Sequence, residues 1–200
     1  MPKTSYTTLL LLVVLVTLAI PASAAKILTV PTADVLSNAL ELDFLYHRGA
    51  SSLGAQFGFY PGLSAGLRQE FGHDTNHLYA TFKAAISEET QSRPGFALGG
   101  ELSLKQQHLY AVLSKQLGMP GLRGHLALGL GRYSRGMAGV SFMLNPVKVN
   151  NVPTTSLFVE YDGHGLNGGL TAQFSPELKA NIGLSMDHGV SFGLNYKAVF

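Results

Sequence analysis

The chain of 200 residues contains no cysteine and no tryptophan, and only 13% of its residues are charged. Without cysteine it forms no disulfide, offers no thiolate to a metal and has no cysteine to be lipidated behind a signal peptide. The charged fraction is about half that of an average globular domain. The net charge of +2 is too small to predict a nucleic-acid partner.

Motifs for cofactors are absent as well. The sequence has no phosphate loop and no dinucleotide fingerprint. It also has no G-x-S-x-G elbow for a serine nucleophile. His73, Asp74 and His77 form an H-D-x-x-H stretch, but this spacing favours zinc only on a helix, and here it falls in a turn before a strand. We therefore predict neither a cofactor nor a metal site.

The chain has one long apolar run, at residues 9–20. It is shorter than the ~20 residues that a membrane-spanning helix needs. Lys3 precedes it, and Pro21 and the small residues Ala22-Ser23-Ala24 follow it. This order is typical of a signal peptide and its cleavage site. We predict a cleaved signal peptide at 1–24, an N-terminal segment at 25–37 and a β-barrel domain at 38–200.

Residues 38–200 alternate between apolar and polar residues in about twelve segments of about nine residues each. Leucine, phenylalanine and alanine occupy one face of each segment. The charges share the opposite face: Glu41, Asp43, Arg68, Glu70, Lys83, Glu101, Glu160, Lys179 and Lys197. An arginine or lysine facing the middle of a bilayer costs about 2–4 kcal/mol, so a lipid-facing wall excludes these residues. The pattern predicts a closed antiparallel up-and-down transmembrane barrel, with these charges lining its lumen.

The prolines indicate how the connections are arranged. Pro31 precedes the first segment, and all later prolines fall in connections after even-numbered segments. Because alternate connections of an up-and-down barrel lie on opposite rims, we predict one proline-rich, periplasmic rim. Six histidines are predicted on the other rim: His47, His73, His77, His108, His164 and His188. They form either a pH-gating or divalent-ion ring or ordinary polar aromatics at the membrane interface, and we favour the second interpretation.

The last segment, residues 190–200, is apolar on alternate residues and ends in an aromatic residue. Tyr196 and Phe200 resemble the C-terminal signal that outer-membrane barrels present to the barrel-insertion machinery. We also predict that this last segment pairs with the first one, which brings Glu41 and Asp43 towards Lys197. The interior is predicted to be a thin aqueous lumen or one plugged by residues 26–37, and the sequence favours neither.

Two further function classes remain open. A lipid-modifying enzyme would need a serine, a rim histidine and an acid, and the candidates are Ser114, Ser141 or Ser185 with Asp187 or Glu160. A soluble periplasmic binder would turn its leucine and phenylalanine face inward, around an apolar ligand.

Three segments carry a family resemblance. Residues 28–36 (L-T-V-P-T-A-D-V-L) come directly before the first strand. Together with 61–68 (P-G-L-S-A-G-L-R) and 189–196 (G-V-S-F-G-L-N-Y), they resemble YjbH-type outer-membrane β-barrel proteins. The resemblance implies a role in exopolysaccharide production and polysaccharide as a partner, beside outer-membrane lipid. We expect a non-enzymatic protein of a diderm outer membrane, acting as a narrow passive pore or as an accessory in polysaccharide export.

Overall fold

The chain forms twelve antiparallel strands. Successive side chains of a strand point to opposite faces, so alternating apolar and polar residues give each strand one apolar and one polar face. The computed structural model describes residues 26–72, 76–145, 152–186 and 189–200. The strands are β1 (Ala39–His47), β2 (Ala50–Tyr60), β3 (Leu63–Phe71), β4 (Asn76–Ser87), β5 (Gly95–Leu102), β6 (Gln107–Gln116), β7 (Leu122–Leu130), β8 (Met137–Met143), β9 (Thr154–Tyr161), β10 (Leu166–Gln173), β11 (Leu178–Ser185) and β12 (Gly189–Val199). One 3-10 turn, Gly131–Tyr133, follows β7.

The twelve strands close into one barrel in which each strand pairs with its neighbours in sequence. β1 and β12 form the seam, where Glu41 lies opposite Lys197 and Asp43 lies opposite Asn195. The predicted all-β, closed, up-and-down barrel of about twelve strands is therefore confirmed. Among the described residues, no helix is long and apolar enough to cross a membrane.

The prolines occupy one rim, as predicted. Pro61, Pro94, Pro120, Pro153 and Pro176 all lie in connections after even-numbered strands. We call this end of the barrel the proline rim and the other end the opposite rim. Pro146, the predicted signal peptide, His73, Asp74, Asp187 and His188 lie outside the described residues.

The two faces of the wall differ sharply in chemistry. Leucines such as Leu53, Leu128 and Leu184 are 55–65% exposed on the outside. Inward-facing Lys83 and Glu160 are 2% and 1% exposed. The outer face of the wall is therefore apolar, and its inner face is mostly polar.

The interior also contains an apolar cluster that the sequence analysis did not predict. Val30 and Ala33 pack against Val112, Tyr133 and other inward residues of β5 to β8. A second cluster joins Ile27 and Leu28 to Phe158 of β9. Val112 and Phe158 occupy the mostly polar face of their strands, and this interruption is the signal that residues before β1 pack inside.

Candidate functional site

Residues 26–37, which we call the lumen segment, lie inside the barrel. Their principal anchor is the carboxylate of Glu160, which is almost fully buried. It accepts hydrogen bonds from the backbone N–H groups of Leu28, Thr29 and Val30, at 3.2–3.3 Å, and from the Thr29 hydroxyl at 2.6 Å. Three successive backbone N–H groups form a nest that favours an anion. Glu160 thus replaces the solvent that these amides would otherwise need.

Nearer the proline rim, two wall residues contact the lumen segment. Ser114 Oγ accepts a hydrogen bond from the Ala33 N–H at 2.7 Å and lies 2.7 Å from His125 Nδ1 of β7. The Lys83 ammonium donates to the Asp34 carbonyl oxygen at 2.6 Å. Contacts from β4 and β6 therefore hold this part of the segment, and His125 supports the contact from β6.

Asp34 makes the most extensive ionic contact of the lumen segment near the proline rim. Both of its oxygens accept hydrogen bonds from the Arg123 guanidinium, at 2.5 and 2.8 Å, and Arg123 also binds Glu89 at 2.9 Å. Burial alone would raise the pKa of Asp34, but the hydrogen bond and charge of Arg123 hold this pKa below its ordinary value. The carboxylate therefore stays ionised, and the bidentate pair ties the segment to β7.

Towards the opposite rim, paired charges of both signs line the wall. Asp43 binds Lys26 at 3.0 Å and Arg68 at 3.7 Å, and Arg68 binds Glu101 at 2.7 Å. Arg132 joins Glu101 at 3.2 Å to Glu70 at 2.8 Å. Lumen-facing charges at these positions were predicted from the sequence. Their partners were not, because Lys26 and Arg132 lie outside the strands.

Among the described residues, two cavities adjoin the lumen segment. A small one of about 60 Å³ lies between the segment and β1 to β5, and Glu41, Asp43 and Glu101 line it. A larger one of about 280 Å³, the mouth cavity, lies at the opposite rim. Lys26, Leu28 and Thr29 of the lumen segment line the mouth cavity on one side.

Asp162, in the β9–β10 connection, organises one side of the mouth cavity. It accepts hydrogen bonds from the backbone N–H groups of His164 and Gly165 and from the Asn167 amide, at 2.9–3.0 Å. It also contacts the His47 ring at 3.1 Å. Burial alone would raise the pKa of Asp162, but these hydrogen bonds hold it far below its ordinary value. The sequence analysis missed this residue, although D-G-H-G between two strands is a turn signature.

The described rim histidines contact different partners. His47 Nδ1 lies 2.7 Å from Ser191 Oγ. The rings of His77 and His108 both lie near Tyr79, with centroid distances of 6.0 and 5.6 Å. His164 contributes its backbone to Asp162. Across the residues that the structure describes, no group of three or more His, Cys, Asp or Glu residues is placed to hold a metal ion.

One series of contacts has the serine–histidine–aspartate order of serine hydrolases. Ser191 Oγ lies 2.7 Å from His47 Nδ1, and His47 Nε2 lies 3.1 Å from Asp162 Oδ2. Arg48 Nε lies 3.1 Å from the same His47 Nε2, and this nitrogen either accepts from Arg48 or donates to Asp162, according to the tautomer of the ring. Ser191 is 2% exposed and does not line the mouth cavity. A substrate in that cavity would therefore not reach its hydroxyl.

The serines that the sequence analysis proposed have other surroundings. Ser114 contacts the lumen segment, and Ser185 is buried on β11. Ser141 is half-buried on β8, and Glu160 is committed to the lumen segment. The structure brings none of these three described serines together with a rim histidine and an acid.

The remaining predicted residues lie on the seam strands or beside them. Lys179 and Lys197 are half-buried on β11 and β12. Tyr196 is 49% and Phe200 is 75% exposed at the proline rim. The Phe200 N–H donates to the Asn38 carbonyl oxygen at 3.0 Å, and its ring lies 6.2 Å from that of Phe57.

No family model matches the chain, and no curated protein matches its sequence. The resemblance to YjbH-type barrels therefore stays a prediction.

Proposed function

We propose that this chain is an integral outer-membrane barrel that serves as a narrow, gated pore for small polar solutes. The observation that carries the proposal is the separation of chemistry across the wall. Large apolar side chains cover the outside of the strands, whereas charged side chains such as Lys83 and Glu160 are buried inside, and several of the inner charges form ion pairs, as Arg68 and Arg132 do with Glu101. A soluble monomer rarely exposes a continuous apolar patch of more than a few hundred Å². A membrane barrel requires one.

The lumen segment supports the gated part of the proposal. Hydrogen bonds and ion pairs hold it to the wall, beside the two apolar clusters that contain Val30 and Leu28. The polar contacts exchange with water when the segment moves, whereas the apolar contacts hold the closed state as the more stable one. Passage of a solute then depends on displacement of residues 26–37 from the wall.

The polar interior argues against a soluble carrier of an apolar ligand, because most leucines and phenylalanines of the strands are exposed on the outside and the inward-facing Phe158 packs against the lumen segment. A second candidate function is that the barrel acts as an accessory protein in the export of envelope polysaccharide. This candidate rests on the resemblance to YjbH-type proteins. Loss of surface polysaccharide in a deletion strain, with normal uptake of small solutes, would favour this second candidate.

Membrane extraction followed by bilayer recording tests the proposal. We expect the protein to remain in the membrane fraction after an alkaline carbonate wash and to migrate differently in gels before and after heating. In a planar bilayer we expect small, intermittent currents, because the lumen segment occupies the interior. Recovery of the protein in the periplasmic fraction without detergent would contradict the proposal.

The enzyme alternative has one observation in its favour, the contact order of Ser191, His47 and Asp162. We expect Ser191→Ala to leave the envelope lipids unchanged. We also expect it to lower the unfolding free energy by about 1 kcal/mol, since one buried hydrogen bond is lost. Lipid analysis of the strain and urea unfolding of the refolded barrel measure these two effects. A changed lipid profile with normal amounts of folded protein would favour the enzyme.

A further inference from the structure

The mouth cavity presents more positive than negative groups. The side chains of Lys26, Arg48, Arg68 and Arg132 all line it, together with His47 and His164, whereas Glu70 and Asp162 are its carboxylates. The other two carboxylates of the ionic network, Asp43 and Glu101, line only the smaller cavity, which Lys26 and Arg68 line as well. A ligand in the mouth cavity therefore meets a surface with an excess of cationic hydrogen-bond donors.

We infer that the mouth cavity binds a small anion that carries a carboxylate or phosphate group, and that Arg48 and Arg132 bind this group. The inference goes beyond the proposed function, because binding requires only a folded barrel and not passage of the solute past the lumen segment.

Arg48 is held at the mouth by an unusual backbone conformation. It has φ of 54° and Gly49 has φ of 73° in the two-residue turn between β1 and β2. Positive φ at both positions is the conformation of a type I′ hairpin, in which Asn-Gly is strongly preferred. For a residue with a long side chain the left-handed region costs roughly 1–2 kcal/mol. An arginine at this position is explained by a use for its guanidinium.

That guanidinium is also free to change partners. Arg48 donates to Asp162 Oδ1 at 3.0 Å, but the same oxygen accepts the His164 and Gly165 backbone N–H groups at 2.9 and 3.0 Å. Asp162 Oδ2 is occupied by Asn167 and His47. When Arg48 turns to a ligand, Asp162 thus keeps its contacts with His164, Gly165, Asn167 and His47. The exchange gives up the contacts of Arg48 with Asp162 and with His47 Nε2 in return for those with the anion.

Arg132 contributes the second guanidinium of the proposed site. Its Nη1 binds Glu70 at 2.8 Å, its Nε lies 3.2 Å from Glu101, and its guanidinium carbon lies 5.4 Å from the centre of the Tyr79 ring. A guanidinium has five N–H donors in a planar fork that matches carboxylate and phosphate oxygens. The two carboxylates and the ring fix the plane of Arg132 without using all five donors.

The size of the cavity limits the ligand. A volume of about 280 Å³ corresponds to roughly nine waters at ~30 Å³ each, which is the scale of a single sugar acid or sugar phosphate. Leu28, Thr29 and Tyr133 line the same cavity and provide apolar and hydroxyl contacts. A small hydroxylated anion fits this lining better than a polymer does.

Calorimetric titration of the folded barrel in detergent tests the inference, with glucuronate, glucose and inorganic phosphate as probes. We expect glucuronate or phosphate to bind and glucose to bind at least about tenfold more weakly, since the hydrogen bonds to a charged group are lost. Arg48→Asn should lower the affinity for the bound anion about tenfold. This variant creates the Asn-Gly turn that the backbone prefers, so folding is retained.

Lys105→Asn is the matched control, since Lys105 is an exposed cation in the β5–β6 connection at the same rim and does not line the cavity. We expect its anion affinity to equal that of the wild type. Binding of phosphate without glucuronate identifies a phosphate ligand, and binding of glucuronate without phosphate identifies a carboxylate ligand. Equal affinities for glucose and glucuronate, an unchanged affinity in Arg48→Asn, or no binding of either anion to the folded barrel would overturn the inference.

Discussion

Deletion of residues 26–36 is expected to turn a barrel with small, intermittent currents into one with a large and steady current. These residues lie within the wall, and the two cavities left around them are about 60 and 280 Å³. The strands pair with one another in a closed ring without the segment, so the deletion variant should still fold. Joining Ala25 to Ser37 keeps the predicted cleavage site intact. Single-channel recording in a planar bilayer measures the change.

Two point substitutions are expected to release the lumen segment from the wall without removing any of its residues. Glu160→Gln removes the charge that binds three backbone N–H groups and a hydroxyl. Glutamine keeps one acceptor oxygen, so hydrogen bonds of about 1.5–3 kcal/mol to a charged group are replaced in part by neutral ones of about 0.5–1.5 kcal/mol. We expect a net shift of about 2–4 kcal/mol, or roughly 30- to 1,000-fold, towards the open state. Gly58→Ala acts by volume, because a Cβ at this site would overlap the Leu36 backbone and lie 2.8 Å from Ser37 N. Both should raise the open probability.

Each substitution has a control in the chain. Glu88→Gln removes a carboxylate from the exposed β4–β5 connection. Gly168→Ala adds a methyl group whose nearest neighbours are 3.7 and 4.0 Å away. We expect both controls to conduct like the wild type. If the deletion variant is folded and still shows only small, intermittent currents, the lumen segment is not the gate.

Deletion of Phe200 is expected to reduce strongly the amount of barrel inserted in the membrane, with little effect on the stability of barrel that has folded. Phe200 is 75% exposed, and its ring contact is to Phe57 at 6.2 Å. The barrel therefore loses little packing with it. We expect the loss to arise earlier, in the proposed recognition of the C-terminal strand by the insertion machinery. Quantification of heat-modifiable protein in cell envelopes measures it.

Refolding into detergent without the insertion machinery distinguishes recognition from stability. We expect the Phe200 deletion to refold with a urea midpoint close to that of the wild type. Phe59→Ala is the control, since Phe59 is an aromatic residue at the same rim with 53% exposure. It should insert normally in cells. Normal insertion of the Phe200 deletion would show that Phe200 is not part of the signal.

The barrel could be predicted from the sequence because its rules are local. Each strand follows from period-two alternation, and the order of the strands follows from short connections with prolines on one rim. The closing pair of β1 and β12 then follows from an even number of strands. None of these steps needs knowledge of a distant side chain.

The interior was predicted less well, because its contacts join residues far apart in sequence. Lumen-facing charges could be identified, and Glu41 does lie opposite Lys197 across the seam. Asp43, however, pairs with Lys26 and Arg68 rather than with Lys197. That choice depends on the lumen segment, whose path inside the barrel is fixed by Glu160, more than 120 residues away: 132 from Leu28 and 131 from Thr29. Alternation within strands contains no information about such a contact.

The position of the lumen segment has a consequence for assembly. The segment is joined directly to β1, and β1 pairs with the last strand to complete the ring. Once these two edges have met, residues 26–37 can enter only through an open end of the cylinder, since the completed wall offers them no lateral way in. A chain whose edges pair before the segment is inside would therefore hold it outside until it enters through that end. Such a population would have the normal number of strands and a leaky channel.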